Sequence, residues 1–154
     1  MTEPTGATAS DQMILITHIF DAPREAVFAA WTDPVQVAAW FGPEHFATPP
    51  EKVNIDLRVG GRYELTMVQG GTGAEHPVRY EIAELVEPEL IVLRCEPMPE
   101  MGLPDGTVTR VEFHDHGAKT RMTLSDGPYP ASAGGHAEGG WNGAFAKLAA
   151  HLAA

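Results

Sequence analysis

The chain has 154 residues, a formal net charge of −11 and a single cysteine. That length suits one domain with a core of its own, and the acidic balance argues against the basic patch that nucleic acid or an anionic membrane surface needs. One thiol makes no intrachain disulfide and no apolar run reaches membrane-spanning length, so a reducing, cytoplasmic setting is expected.

Residues 1–11 are small and polar, with Pro4 and Gly6, and read as a disordered tail before a domain spanning 12–154. The β-branched and apolar run 13–20 predicts a strand. Pro23 suits the first position of a helix whose positive end is favoured by Glu25 and whose apolar face is Val27, Phe28 and Trp31. Asp33 predicts the cap of a second short helix over 34–40, ended by Phe41-Gly42-Pro43. Strands follow over 52–57, 62–68, 78–86 and 90–95, with a turn at Gly60-Gly61. In the second of these Tyr63, Leu65 and Met67 alternate with Arg62, Glu64 and Thr66, so one face is buried and the other wet. A proline-rich loop over 97–106 is long for a strand connection and so either mobile or functional.

The last two strands predict a hairpin. With His116-Gly117 as a two-residue turn, Phe113 faces Thr120, Val111 faces Met122, Thr109 faces Leu124, and Glu112 meets Arg121 on the wet face. Strand character is expected to end near Ser125, with 126–130 a loop. Beyond it Trp141, Phe145, Leu148 and Leu152 are spaced four, three and four apart, one face of an α-helix. Gly134, Gly135, Gly139 and Gly140 just ahead of Trp141 predict either a late helix start or a surface kept free of side chains. The expectation is an α+β fold of about seven antiparallel strands wrapped around this one long helix, with the glycine-rich part bordering whatever space is left between them.

Three constellations bear on chemistry. His114-Asp115-His116 has metal-ligand spacing, but the hairpin puts His116 in the turn, so a solvated turn is expected and no metal or cofactor. His136, beside Glu138 on the glycine-rich approach, is a candidate proton carrier at a cavity mouth, weighed against an exposed helix-start histidine. The third is the apolar and aromatic set. Trp40, Phe41, Tyr63, Met67, Tyr80, Met98, Met101, Phe113, Gly139 and Trp141 are the candidate ligand-binding residues, weighed against ordinary core packing, since phenols need partners and methionines adapt to irregular shapes. Cys95, in the run 90–95, is expected to be a buried, inert thiol. No nucleophile triad, phosphate loop or zinc-protease motif is present.

The runs Phe20-Asp-Ala-Pro-Arg-Glu-Ala-Val-Phe28, Trp31-Thr-Asp-Pro34 and Trp40-Phe-Gly-Pro43 resemble the start of the Hsp90-ATPase-activator-homologue (Aha1 C-terminal-like) family. Asp56-Leu-Arg-Val-Gly-Gly-Arg-Tyr63, Glu81-Ile82, Pro88-Glu-Leu90 and Gly140-Trp141 through Leu148 are similar to its later signatures. That family belongs to the START-like (SRPBCC), Bet v 1-like superfamily. The resemblance implies a helix-grip fold: a curved antiparallel sheet with two short helices after its first strand, gripping the C-terminal helix around an apolar cavity. Its members include binders, transporters, cyclases and chaperone regulators, so the fold alone assigns no activity. The leading expectation is a non-catalytic domain that binds a small apolar or aromatic molecule between sheet and helix. The alternatives are a cyclase- or dehydratase-type enzyme using the same cavity and a chaperone-regulating interaction domain. Homodimerisation is compatible with each; nucleic acid and membrane are not expected partners.

Overall fold

The computed structural model describes residues 11–97 and 106–153. Strand β1 (Asp11–Phe20) leads into helices α1 (Arg24–Thr32) and α2 (Pro34–Trp40); strands β2 (Phe46–Ala47), β3 (Asn54–Ile55), β4 (Arg62–Gln69), β5 (Glu75–Val86), β6 (Leu90–Cys95), β7 (Thr107–His116) and β8 (Lys119–Pro130) follow, then helix α3 (Ala131–Ala153). The sheet is antiparallel throughout, in the order β1-β8-β7-β6-β5-β4-β2, with β3 also on β4. This is the expected α+β helix-grip architecture.

The α1–α2 corner forms for the predicted reason. Asp33 accepts a hydrogen bond from the Val35 amide at 3.1 Å, and Pro34 opens the helix where its missing N–H costs nothing. The indole of Trp40 donates to the Ala30 carbonyl at 2.9 Å, locking α2 on α1. The strand predicted over 52–57 is mostly absent: Pro50–Lys52 is a short 3-10 turn and only Asn54 and Ile55 pair with β4. Pro49 and Pro50 have no N–H to give a ladder, and so shorten the strand at this edge.

The β7–β8 hairpin is shifted by two residues from the predicted register. Its turn is Gly117-Ala118, with Gly117 at φ +69° in the first turn position, so Phe113 faces Met122, Val111 faces Leu124 and Thr109 faces Asp126. A slip of two keeps every side chain on its own face, which is why apolar patterning could not choose between the registers. The predicted Glu112–Arg121 pair is therefore corrected. Glu112 lies opposite Thr123 and binds along its own strand, to Arg110 at 2.7 Å and His114 at 3.1 Å.

Strand β8 also runs on to Pro130, past the expected end at Ser125, because β1 pairs with it that far: Ile14 lies opposite Asp126 and Gln12 opposite Tyr129. The register breaks between Gln12 and Ile14, and the break accommodates Gly127-Pro128. Gly127 sits at φ +149°, where a Cβ would come within 2.8 Å of the Gln12 carbonyl oxygen, so glycine holds the two strands this close.

Helix α3 is continuous through its glycines. Trp141, Ala144, Phe145 and Leu148 are buried on the concave side of the sheet, where Phe20, Trp31, Trp40, Leu65, Ile82, Val111 and Met122 meet them. His18 belongs to this interior too, stacked on Phe20 with ring centroids 4.3 Å apart and edge-on to Phe145. Burial holds its imidazole below the ordinary value of 6.5. An unfolded chain then takes up this proton more readily than the fold does. His18 should therefore cost stability as the pH falls below about 6.5, with the loss complete below its folded value. Thermal melts at about pH 7.5 and about pH 5.5 should show a smaller acid-induced drop in His18→Phe than in wild type; equal drops would place the acid sensitivity elsewhere.

Candidate functional site

Cross-strand pairing lays a row of polar side chains across the concave face. Tyr63 lies opposite Tyr80, Tyr80 opposite Cys95, and Cys95 opposite Thr107; two residues along β7, Thr109 lies opposite Asp126. Asp126 ends the row and is only 1% exposed. Its Oδ1 accepts from the Thr109 hydroxyl at 2.7 Å, and its Oδ2 accepts from the Tyr129 hydroxyl and the Trp141 indole Nε1, both at 2.7 Å. Trp141 comes from α3, so this one carboxylate ties the helix to β7 and β8.

The surroundings keep the phenols protonated. Burial pushes Tyr80 well above the usual phenol range, the negative charge of Asp126 adds to this, and a hydrogen bond with Thr109 opposes it. Burial, then Asp126, also raises Tyr129. Burial likewise raises the Cys95 thiol, partly offset by a hydrogen bond with Thr107. The cysteine is half-buried; a thiol held protonated is a poor nucleophile, in line with the inert reading. Near neutral pH these groups are donors and acceptors, not bases.

The predicted ligand residues divide into three groups. Trp40, Phe41, Tyr63 and Phe113 are buried among other rings, and the Tyr63 hydroxyl donates to the Trp31 carbonyl. Met67 and Tyr80 are half-buried on the concave face, and Trp141 is 8% exposed, stacked on Trp31 and Phe145. Gly139 is exposed, with no atom within 4 Å of a Cβ built on it; helical spacing turns it away from the side that Trp141 presents. Met98, Met101 and the side chain of His136 lie outside the described residues.

The interior is packed more tightly at one end than at the other. Around Phe20, Trp31 and Phe145 the side chains are fully buried, but Met67, Val78, Tyr80 and Tyr129 are only half-buried although they face inward. On α3 the small Ala137, one turn before Trp141, is half-buried against the core. Gly140 and Gly143 serve a different purpose: a Cβ there would lie 3.4 Å from Pro43 and 3.2 Å from the Glu44 amide, so they let the loop after α2 approach the helix. Lys147 fastens that loop, donating to the carbonyls of Pro43 and Phe46 at 3.2 and 3.1 Å. The indole N–H of Trp31 is buried with no acceptor among the described residues, beside Trp141.

Two surface hollows lie on the outer face of the sheet. One of about 280 Å³ is bordered by Leu15, Thr17, Arg110 and Glu112; one of about 510 Å³ is bordered by Arg62, Glu64, Arg79, Glu81 and Arg94, where Arg62 pairs with Glu64 along β4 and Arg94 with Glu81 across to β5. At the hairpin His114 binds Glu112, and Asp115 meets Arg24 at 3.3 Å. Among the described residues no group of three or more His, Cys, Asp or Glu could hold a metal ion.

Asp126, Thr109 and Tyr129 are the members that sequence reasoning missed. The signal was there: Thr120, Met122 and Leu124 alternate inward, and continuing that period of two makes Asp126 the next inward residue. The Gly127-Pro128 pair masked it by reading as a loop.

A family model described as "Activator of Hsp90 ATPase homolog 1-like protein" matches residues 21–153. The chain belongs to this family. Its fold recurs in a crystal structure from Chromobacterium violaceum, with 26% identity and a TM-score of 0.81 over 91% of this chain and 96% of the other. A Mycobacterium smegmatis protein is 25% identical, with a TM-score of 0.73 over 92% and 90% of the two chains. The AHSA1 protein of Silicibacter pomeroyi is 22% identical, with a TM-score of 0.73 over 92% and 98%. A search of curated proteins found none similar enough in sequence to carry an activity over. Membership in the Activator of Hsp90 ATPase homolog 1-like family is consistent with the START-like superfamily and compatible with a ligand-binding role. Among the described residues no helix is long and apolar enough to cross a membrane.

Proposed function

We propose that this protein binds a small apolar or aromatic molecule between the concave face of the sheet and the N-terminal half of α3. The observation that carries this reading is the looser packing at one end of the interior: Met67, Val78, Tyr80 and Tyr129 pack against the core without being fully buried, and small Ala137, one turn before Trp141, is likewise only partly buried. Apolar side chains left partly wet in a concave space gain about 25 cal/mol per Å² when a ligand covers them. Trp141 closes the inner wall of this space. The phenols, held protonated, orient a ligand through hydrogen bonds and take no proton from it, which favours binding over catalysis. A cytoplasmic setting fits the protonated thiol of Cys95 on the inner face.

Ala137→Leu tests this by filling the space. Wild type should bind naphthylmethanol, a neutral aromatic alcohol, in calorimetric titration. The leucine variant should bind about tenfold more weakly or not at all, with a melting temperature within a few degrees of wild type. If wild type binds no apolar or aromatic compound and the leucine costs the about 1–3 kcal/mol typical of overpacking, the space is already filled and the reading fails.

A further inference from the structure

Asp126 has a chemistry that an apolar cavity does not call for. It is a buried carboxylate of the interior, and its three hydrogen-bond partners are all neutral. Among the described residues no lysine, arginine or histidine forms an ion pair with it. Buried charges are ordinarily paired with an opposite charge, since hydrogen bonds from neutral groups offset only part of the lost hydration. An ionised carboxylate has about four lone-pair positions and this one has committed three, so one remains for a further donor. The side chains around it are aromatic: Trp141 and Tyr129 donate to it, Trp31 and Phe41 lie against Trp141 with ring centroids 5.9 and 5.6 Å away, and Tyr80 stands beside it. Aromatic faces attract cations and repel anions.

We infer that Asp126 is the charged anchor of the interior site and that the molecule bound there is an apolar or aromatic amine, its ammonium group set on the carboxylate and its carbon skeleton against Trp141 and the half-buried Met67 and Tyr80. The inference rests on the proposed ligand-binding role and adds the charge of the ligand to it.

The test is a charge series on one ring system: naphthylmethylamine, naphthylmethanol and naphthoate, titrated calorimetrically into the intact protein. Wild type should prefer the amine over the alcohol by about tenfold and bind naphthoate weakest. Asp126→Asn keeps an oxygen acceptor but removes the charge, and should abolish the preference for the amine while leaving the alcohol bound. Glu84→Gln removes the same charge from an exposed position and should change nothing, which separates the anchor from the general attraction of an acidic protein for cations. Should the asparagine variant not fold, Tyr129→Phe serves in its place. It frees a lone pair on Asp126 and should strengthen amine binding selectively, and a weakening would count against the anchor. If the three probes bind with no charge order, or Glu84→Gln acts as strongly as Asp126→Asn, the inference is overturned and the ligand-binding role stands. If none of the three binds, both fall.

Discussion

Replacing Trp141 with alanine is expected to lower the unfolding free energy by about 3–5 kcal/mol, the range for truncating a large aromatic side chain in a core. For a domain of this length that corresponds to a fall in melting temperature of about 6–20 °C. The ring stacks on Trp31 and Phe145 and meets Phe41 edge-on, so truncation opens a void at the seam between helix and sheet. It also takes one donor from a carboxylate that is 1% exposed. Trp141→Phe separates the two effects: it keeps most of the ring packing, loses the indole N–H, and should cost about 1–3 kcal/mol, the penalty for leaving a buried acceptor short of a partner. Chemical denaturation of both variants gives the comparison. If alanine and phenylalanine cost the same, the hydrogen bond is the whole contribution and the packing account is wrong.

Phe145→Ala should be equally severe, about 3–5 kcal/mol, for a different reason. The Phe145 side chain offers no hydrogen-bonding group. It is completely buried and its ring contacts His18, Phe20, Trp31, Trp40 and Trp141, which come from β1, α1, α2 and α3 itself. It stands in the closed end of the interior, so its loss should lower stability without selectively changing ligand affinity. A Phe145→Ala protein that stays well folded yet no longer binds naphthylmethanol would move the site toward the C-terminal half of α3.

The contrast between these residues shows what the sequence made legible. The spacing of Trp141, Phe145 and Leu148 predicts a helix face, and all three are buried on the concave side. The Asp33-Pro34 cap, the alternation in β4 and the runs shared with the Activator of Hsp90 ATPase homolog 1-like family fixed the order of elements and the architecture. Local pattern could not supply register. Shifting β7 against β8 by two residues leaves Val111, Phe113, Met122 and Leu124 all inward, so only the turn geometry at Gly117 decides that Thr109 meets Asp126 and not Leu124. The candidate site depended on that register. Glycine is silent on its task in the same way: Gly139 is exposed to open space, Gly143 makes room for Glu44, and Gly127 lets β1 approach β8, three tasks that identical letters cannot distinguish.

The three tryptophan indole N–H groups give a direct test of where a ligand sits. Trp40 donates to the Ala30 carbonyl in the closed core, Trp141 donates to Asp126 at the loosened end, and Trp31 lies between them. In a two-dimensional proton–nitrogen spectrum, titration with naphthylmethanol should move the Trp141 indole signal furthest and leave that of Trp40 nearly still. A ligand that binds while the Trp141 signal does not move, or that shifts Trp40 as much as Trp141, would contradict an interior site at the N-terminal half of α3.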